Sequence, residues 1–360
     1  VAVNTAGVRR GLLAGIASLV WVTVITLVIA ALTESLDGVL ALGTHRSGPS
    51  DLVAVNINGT DRTVLIPGNG LGHWGPAWSP KVPEFVYTLG NPNTNVGQLM
   101  LVMTGGLDSA QRAVTHDRRN NYLAAWSHDG QRIAYITQRG QDTSTAELAV
   151  TGPGDNPKQL THNRAWEYGT SWSPNGKWIA YGSEQGGSWH VWLIHPDGTG
   201  AHILAGTGGG NAPDWSPNGR SILFTSDRSG TDDLYVVPAT GGTARRLTAG
   251  PCHNDNGRWS PDGKRIAYAT FCNGGWSDIA VMNANGSGVR NLTNTPKIEE
   301  EVPSWLPDGK RVGFAAFAVV RDSIWPGAVL RALGIGLLAG LLVGLLTLLW
   351  NRRVSPTTPR

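Results

Sequence analysis

The chain has 360 residues and a formal net charge of +3, with charged residues making up only 15% of it. Its Lys and Arg residues are scattered over turns and chain ends and form no stripe interleaved with aromatics, which excludes nucleic acid as a partner class. The 48 Gly, 21 Pro and 15 Trp exclude a disordered chain and describe a turn-rich, aromatic-cored one.

Residues 1–10 carry Arg9 and Arg10 ahead of an uncharged run from Gly11 to Leu32. A run of that length crosses a hydrocarbon core about 30 Å thick as a helix, so 11–32 is expected to be a retained transmembrane helix; a cleaved signal peptide is the competing reading. A linker over 33–50 follows, with Glu34 and Asp37 on the far side of the span. Near the other end, 318–326 is a short linker and 327–350 a second span, whose uncharged stretch runs from Ala332 to Trp350. Arg352 and Arg353 open a tail over 351–360. The positive flanks place both termini in the cytoplasm and everything between the spans in the periplasm or extracellular space, making the chain an integral protein of the cytoplasmic membrane.

Between the spans one phrase recurs six times: AWSPKVPEFVYT from Ala77, AWSHDGQRIAYIT from Ala125, SWSPNGKWIAYGS from Ser171, DWSPNGRSILFTS from Asp214, RWSPDGKRIAYAT from Arg258 and SWLPDGKRVGFAA from Ser304. The tryptophans are Trp78, Trp126, Trp172, Trp215, Trp259 and Trp305, spaced by 48, 46, 43, 44 and 46 residues. That period fits four short strands and their turns, one propeller blade. In each unit an aromatic strand meets a turn of Pro-Asp-Gly or Pro-Asn-Gly type and then an alternating strand such as Arg265-Ile266-Ala267-Tyr268-Ala269, a hairpin. A second hairpin follows five of the six tryptophans, as in DLYVVPATGGTARRLT from Asp233 and DIAVMNANGSGVRNLT from Asp278. After Trp305 there is none, while DLVAVNINGTDRTVLI from Asp51 precedes the first tryptophan unattached. The two halves complete one blade, giving an all-β, six-bladed β-propeller over 51–317 closed by its N- and C-terminal strand pairs, with two transmembrane α-helices added.

WSPDGKRIAYAT and its five relatives resemble the TolB-like propeller repeat, which is also found in the propellers of prolyl-oligopeptidase-type peptidases. The resemblance spans about Asp51 to Phe317, and the first repeat departs from it with Lys81-Val82-Pro83 where Asp-Gly is expected. It implies a propeller with protein-binding precedent and no particular reaction. Hydrolysis of the oligopeptidase kind is excluded: no Gly-x-Ser-x-Gly elbow occurs, the nearest sequence being Gly169-Thr170-Ser171-Trp172-Ser173, and no length remains for a hydrolase domain.

With strands running from the axis outward, the Trp-Ser-Pro-Asp-Gly turns share one face and both anchors leave from the other. The linker after Phe317 is too short to reach around the ring, since an extended residue covers at most about 3.6 Å. The mouth of the central funnel is therefore expected toward the membrane. His73, Asn121, Glu167, Asn211, Asp255 and Glu301, just before each inner strand, are the polar candidates to ring that mouth. His253 with Asp255 is the one pair for a lyase-type funnel site, and no regular metal-ligand spacing occurs among the nine histidines, so neither a metal nor another cofactor is expected.

Gly7, Gly11 and Gly15 at the first span and Gly336, Gly340 and Gly344 in the second form small-residue ladders for close helix packing, on each other or on a neighbour. Cys252 and Cys272 are centred on Asp262 of the fifth turn and are expected to meet as a cross-strand disulfide. Asn58, Asn285 and Asn291 fit the glycosylation pattern, but turn chemistry and the repeated Leu-Thr account for them. No catalytic residue is assigned. The expectation is an accessory or scaffold subunit of a larger integral membrane protein complex, in contact with the lipid bilayer; the alternative is a TolB-like envelope module that binds a soluble or wall-associated protein.

Overall fold

The computed structural model describes residues 50–318, apart from 69, 92–95, 105–110, 140–144, 273–275 and 296–297. The spans expected over 11–32 and 327–350, with their glycine ladders, lie outside the described residues. Among the described residues no helix is long and apolar enough to cross a membrane.

The chain begins with β1 (Ser50–Asn56) and β2 (Thr63–Ile66). Blade I is β3 (Gly72–Trp78), β4 (Glu84–Asn91), β5 (Val96–Met103) and β6 (Arg112–Ala113). Blade II is β7 (Asn120–Trp126), β8 (Ile133–Gln138), β9 (Glu147–Thr151) and β10 (Lys158–Gln159). Blade III is β11 (Glu167–Trp172), β12 (Ile179–Ser183), β13 (His190–Ile194) and β14 (His202–Ile203). Blade IV is β15 (Gly210–Trp215), β16 (Ser221–Ser226), β17 (Asp233–Pro238) and β18 (Arg245–Arg246). Blade V is β19 (His253–Trp259), β20 (Arg265–Phe271), β21 (Ser277–Asn283) and β22 (Arg290–Asn291). Blade VI takes β23 (Ile298–Trp305) and β24 (Arg311–Ala318) from one end and β1 and β2 from the other, in the order β2-β1-β24-β23.

Every sheet is antiparallel, and the six inner strands β3, β7, β11, β15, β19 and β23 pack side by side around the axis. In blade VI, Ser50 pairs with Phe317 and Asn56 with Arg311, so the described chain enters and leaves side by side. That edge lies on the mouth face, opposite the Trp-Ser-Pro-Asp-Gly turns. Closure completes blade VI to four strands, so neither terminal strand pair is left as an open half-blade.

Six apolar clusters fill the six seams between blades, with one repeat tryptophan in each. Trp126, for example, lies among Val86, Leu99 and Leu101 of the preceding blade. Its Nε1–H donates to Ala77 O at 3.1 Å, as Trp172 Nε1–H does to Ala125 O and Trp305 Nε1–H to Arg258 O. The alternation in the second strand of each blade is not one between core and solvent. Instead Ile266, Ala267, Tyr268 and Ala269 are all buried, because each blade is sandwiched between two others and the alternation is one of size, large toward one seam and small toward the next.

The hairpin turns follow from their sequence. In blade V, Ser260 Oγ donates to Asp262 Oδ1 at 2.6 Å and accepts the Arg265 N–H at 2.9 Å, while Asp262 Oδ1 accepts the Lys264 N–H at 3.0 Å. Asn175 and Asn218 do the same work in blades III and IV. The departing first turn, Lys81-Val82-Pro83, keeps its length: the Ser79 N–H still donates to Glu84 O, and Ser79 Oγ receives the N–H groups of Lys81 and Val82.

Candidate functional site

Each inner strand carries one residue more than its neighbour, a β-bulge between the fourth residue before the tryptophan and the first or second before it. At its centre, three residues before each tryptophan, stand Gly75, Leu123, Gly169, Ala212, Asn256 and Val302. All six have positive φ, between 45° and 71°. This ring of left-handed residues surrounds the axis. Val302 of blade VI packs into the cluster of Leu123, Tyr122 and Tyr168 from blades II and III, and Tyr168 Oη donates to Asn256 Oδ1 of blade V at 3.4 Å. Blades that are not neighbours meet there, so side chains fill the axis at this level. Gly169 has no room for anything larger: a Cβ on it would lie 2.7 Å from Ala212 Cα.

The polar residues expected to ring the mouth fall within the inner strands, at two successive positions, and do not form one ring. His73, Asn121 and Glu167 stand five before their tryptophans, are buried, and tie each blade to the one before it. The His73 ring shares a hydrogen bond with Ser50 O at 2.8 Å and lies 5.6 Å from the Tyr87 ring. Asn121 Nδ2 donates to Asp117 Oδ1 at 2.7 Å. Glu167 accepts from Thr161 Oγ1 at 2.7 Å and from Asn163 Nδ2 at 3.0 Å, and burial pushes its carboxyl up to about 8.

Asn211, Asp255 and Glu301 stand one residue later and are half-buried near the axis. Burial, then the neighbouring Glu301 and Asp232, push the Asp255 carboxyl up to about 8. Asp255 Oδ1 is buried without a hydrogen-bond partner among the described residues. His253 is exposed and lies 3.5 Å from Asp232 Oδ2, so its recorded partner is Asp232 and not Asp255. Among the described residues no three His, Cys, Asp or Glu side chains are grouped to hold a metal ion. Cys252 and Cys272 are joined as a disulfide at the mouth end of the β19–β20 pair, where His253 faces Phe271.

Two concavities lie away from the axis. One, of about 480 Å³, is at the mouth end of blade I and is lined by Leu71, Leu89, Val96, Met100 and Ala113 among others. The other, of about 760 Å³, lies on the turn face between blades II and III, lined by Arg132, Lys158, Lys177, His195, Asp197 and Thr199. The cations of this second one come from two turns and a strand far apart in the chain, and its sign in the sequence is Asn175 standing where the turns of blades II, V and VI have Asp.

A ring of six four-stranded blades, closed by strands from both ends and filled at its axis, defines a six-bladed β-propeller. Residues 199–325 match the sequence family described as PD40, TolB beta propeller domain. Among solved structures, the chain is similar to a protein assigned as TolB from Agrobacterium tumefaciens, at 20% identity and a TM-score of 0.62, covering 75% of this chain and 99% of that one. TolB from Acinetobacter baumannii is similar at 20% identity and a TM-score of 0.52, with 68% of this chain and 63% of that one covered. The tricorn protease shares 15% identity and a TM-score of 0.55 over 68% of this chain and 24% of that one. At such identities the likeness is one of fold. No curated protein matches this chain.

Proposed function

We propose that the chain is a non-catalytic, TolB-like interaction module of the cell envelope, held in the cytoplasmic membrane by spans over 11–32 and 327–350, with its propeller on the extracytoplasmic side. The observation that carries this reading is the filled axis. A funnel enzyme needs convergent polar groups around an open cavity, whereas here Val302, Leu123 and Tyr168 close the axis at the level of the bulges, His73, Asn121 and Glu167 are consumed in ties between blades, and of the polar candidates Asn211, Asp255 and Glu301 are left half-buried near the axis. Most of what remains available is outer surface, and a rigid ring offering loops and grooves is suited to docking a protein.

A second reading, an accessory subunit of a larger integral membrane complex, is favoured by the pairing of Ser50 with Phe317. Ser50 and Phe317 lie side by side at one edge of the mouth face, and spans joined to both would fix the propeller's orientation and give a neighbouring helix pair a defined docking position.

Native purification of the full chain in mild detergent, followed by the intact mass of the assembly, tests both. A stoichiometric partner is expected. Recovery of the chain alone, as a monomer, overturns both readings; a soluble partner that survives exchange of Gly340→Leu favours the first, and loss of a membrane partner on that exchange the second.

A further inference from the structure

We propose that the groove between blades II and III on the turn face binds an acidic peptide segment of a protein partner, through Arg132, Lys158 and Lys177 beside the ring of His195. The inference rests on the reading of the propeller as an interaction module and names the surface and the chemistry of one partner.

The groove is positive because of how its turns are made. In blades II, V and VI the hairpin turn uses Asp129, Asp262 and Asp308, each beside an Arg or Lys of the same turn. Blade III uses Asn175, whose Oδ1 accepts from Ser173 Oγ at 2.8 Å and from the Lys177 N–H at 3.0 Å. The turn geometry is kept and the negative charge is gone, so the Lys177 ammonium has no carboxylate within its own turn. Across the groove, Arg132 is held with its guanidinium 4.6 Å from the Trp172 ring centroid, a position favoured by stacking. Lys158 Nζ donates to Asp197 O at 2.9 Å, bridging blade II to a blade III turn and retaining further donor capacity.

Asp197 is the one carboxylate among the lining residues; it bonds to its own turn and faces Lys158 and His195. Its Oδ1 accepts the Thr199 N–H at 2.9 Å and the Thr199 hydroxyl at 2.7 Å. The His195 ring is held in place. It stacks on Trp178 with centroids 3.8 Å apart and shares a hydrogen bond with Lys177 O at 2.9 Å, and Trp178 is in turn met edge-on by His202.

Three features favour a peptide over a single phosphate group. The cations stand on separate elements along an open groove and do not converge on one point. The lining lacks a nest of backbone N–H groups of the kind that cradles phosphate, since the turn amides of Lys177 and Thr199 are already bonded to Asn175 and Asp197. The His195 ring, fixed by its stack on Trp178, offers a flat face suited to the backbone and side chains between spaced carboxylates.

The test uses the full chain in detergent or nanodiscs and a short fluorescent peptide of alternating Glu and Ser. Saturable binding that weakens as salt rises is expected, with a loss of about tenfold or more in the Arg132→Glu/Lys177→Glu double variant. Lys177→Gln alone gives a smaller loss and guards against misfolding of the double. Lys264→Glu/Lys310→Glu, on the same face in blades V and VI, should change binding by less than about twofold, since screening isolates charges that far apart. Equal losses in both double variants, equal binding of a Gln/Ser peptide, or preferential binding of inorganic phosphate in competition would each overturn the proposal. If a partner co-purifies but its recovery ignores the groove variants, this site is wrong and the interaction reading stands; if the peptide binds but no partner is recovered, the reverse holds.

Discussion

The Asp214 carboxylate accepts the Trp259 N–H at 2.7 Å across the seam between blades IV and V. Its other oxygen accepts from Ser171 Oγ of blade III at 3.2 Å, and that hydroxyl accepts the Trp215 N–H at 2.9 Å. One relay thus stitches three blades together. It crosses the two seams where the indole N–H groups, of Trp215 and Trp259, have no acceptor among the described residues. At the seams of Trp126, Trp172 and Trp305 the indole itself makes the tie to the preceding blade.

Asp214→Ala should therefore cost more than a typical surface change. It strands the Trp259 N–H and the Ser171 hydroxyl in a buried seam and is expected to lower stability by about 2–4 kcal/mol. Asp214→Asn keeps an acceptor for Trp259 and relieves the burial that already raises the Asp214 carboxyl, so its cost should be less than half as large. Guanidinium unfolding of the two variants measures the difference; equal costs would show that the relay contributes little.

The ring of left-handed residues makes an opposite pair of predictions at neighbouring positions. Ala212 is buried with φ of 45°, where a Cβ costs about 1–2 kcal/mol and glycine is at ease. Ala212→Gly is expected to be neutral or to stabilise by up to about 1 kcal/mol. Gly169→Ala adds a Cβ that would lie 2.7 Å from Ala212 Cα, which only a backbone shift could relieve. It should destabilise by about 2 kcal/mol or more. Thermal unfolding of both variants checks the signs, and a destabilising Ala212→Gly would mean that packing at the axis outweighs the backbone conformation.

These two features also separate what the sequence displays from what it conceals. The blades, the six tryptophans at the seams, the shared blade VI and the facing of Cys252 with Cys272 all follow from the repeat and its register, since hairpins convert spacing directly into contact. The bulge does not. Gly, Leu, Gly, Ala, Asn and Val share no property that announces a left-handed residue, and the conformation is imposed by the crowding of six strands at one axis. Because the extra residue lies just beyond the polar candidates, choosing the nearest polar side chain mixed two positions: His73, Asn121 and Glu167 tie blade to blade, while Asn211, Asp255 and Glu301 stand nearer the axis. The groove was hidden for a different reason, since Arg132, Lys158 and Lys177 become neighbours only when blades II and III are packed together.

Stability should depend on pH through Asp255 and Glu167. Each has a folded-state value of about 8, against ordinary values of 3.8 and 4.5. Between those limits the folded chain keeps protons that the unfolded chain has released, so the stability they contribute is complete below about pH 4 and is lost as pH rises toward 8. The unfolding midpoint is expected to fall between pH 5 and pH 8 for this reason. Asp255→Asn with Glu167→Gln should flatten that slope, and an unchanged slope in the double variant would assign it to other groups.

The disulfide offers a test that separates the two faces. Cys252 and Cys272 close a loop with a sequence separation of 20, at the mouth end of a strand pair already fixed by its ladder. Constraint of the unfolded chain by such a loop is worth about 3 kcal/mol, or roughly 6–12 °C in the unfolding temperature of a domain this size. Locally, Asn254 Nδ2 donates to Cys252 O at 3.0 Å and Asn254 Oδ1 accepts from Thr270 Oγ1 at 2.9 Å, so the native hairpin has other ties and should persist without the bridge. The Cys252→Ser/Cys272→Ser variant is thus expected to fold, to melt at a lower temperature, and to lose the response of the parent to reductant. Its binding of an acidic peptide should be unchanged, because the groove lies on the opposite face and two blades away. A large loss of peptide binding on reduction would mean that the faces are coupled through blades III and IV, and the Asp214 relay would be the first place to look.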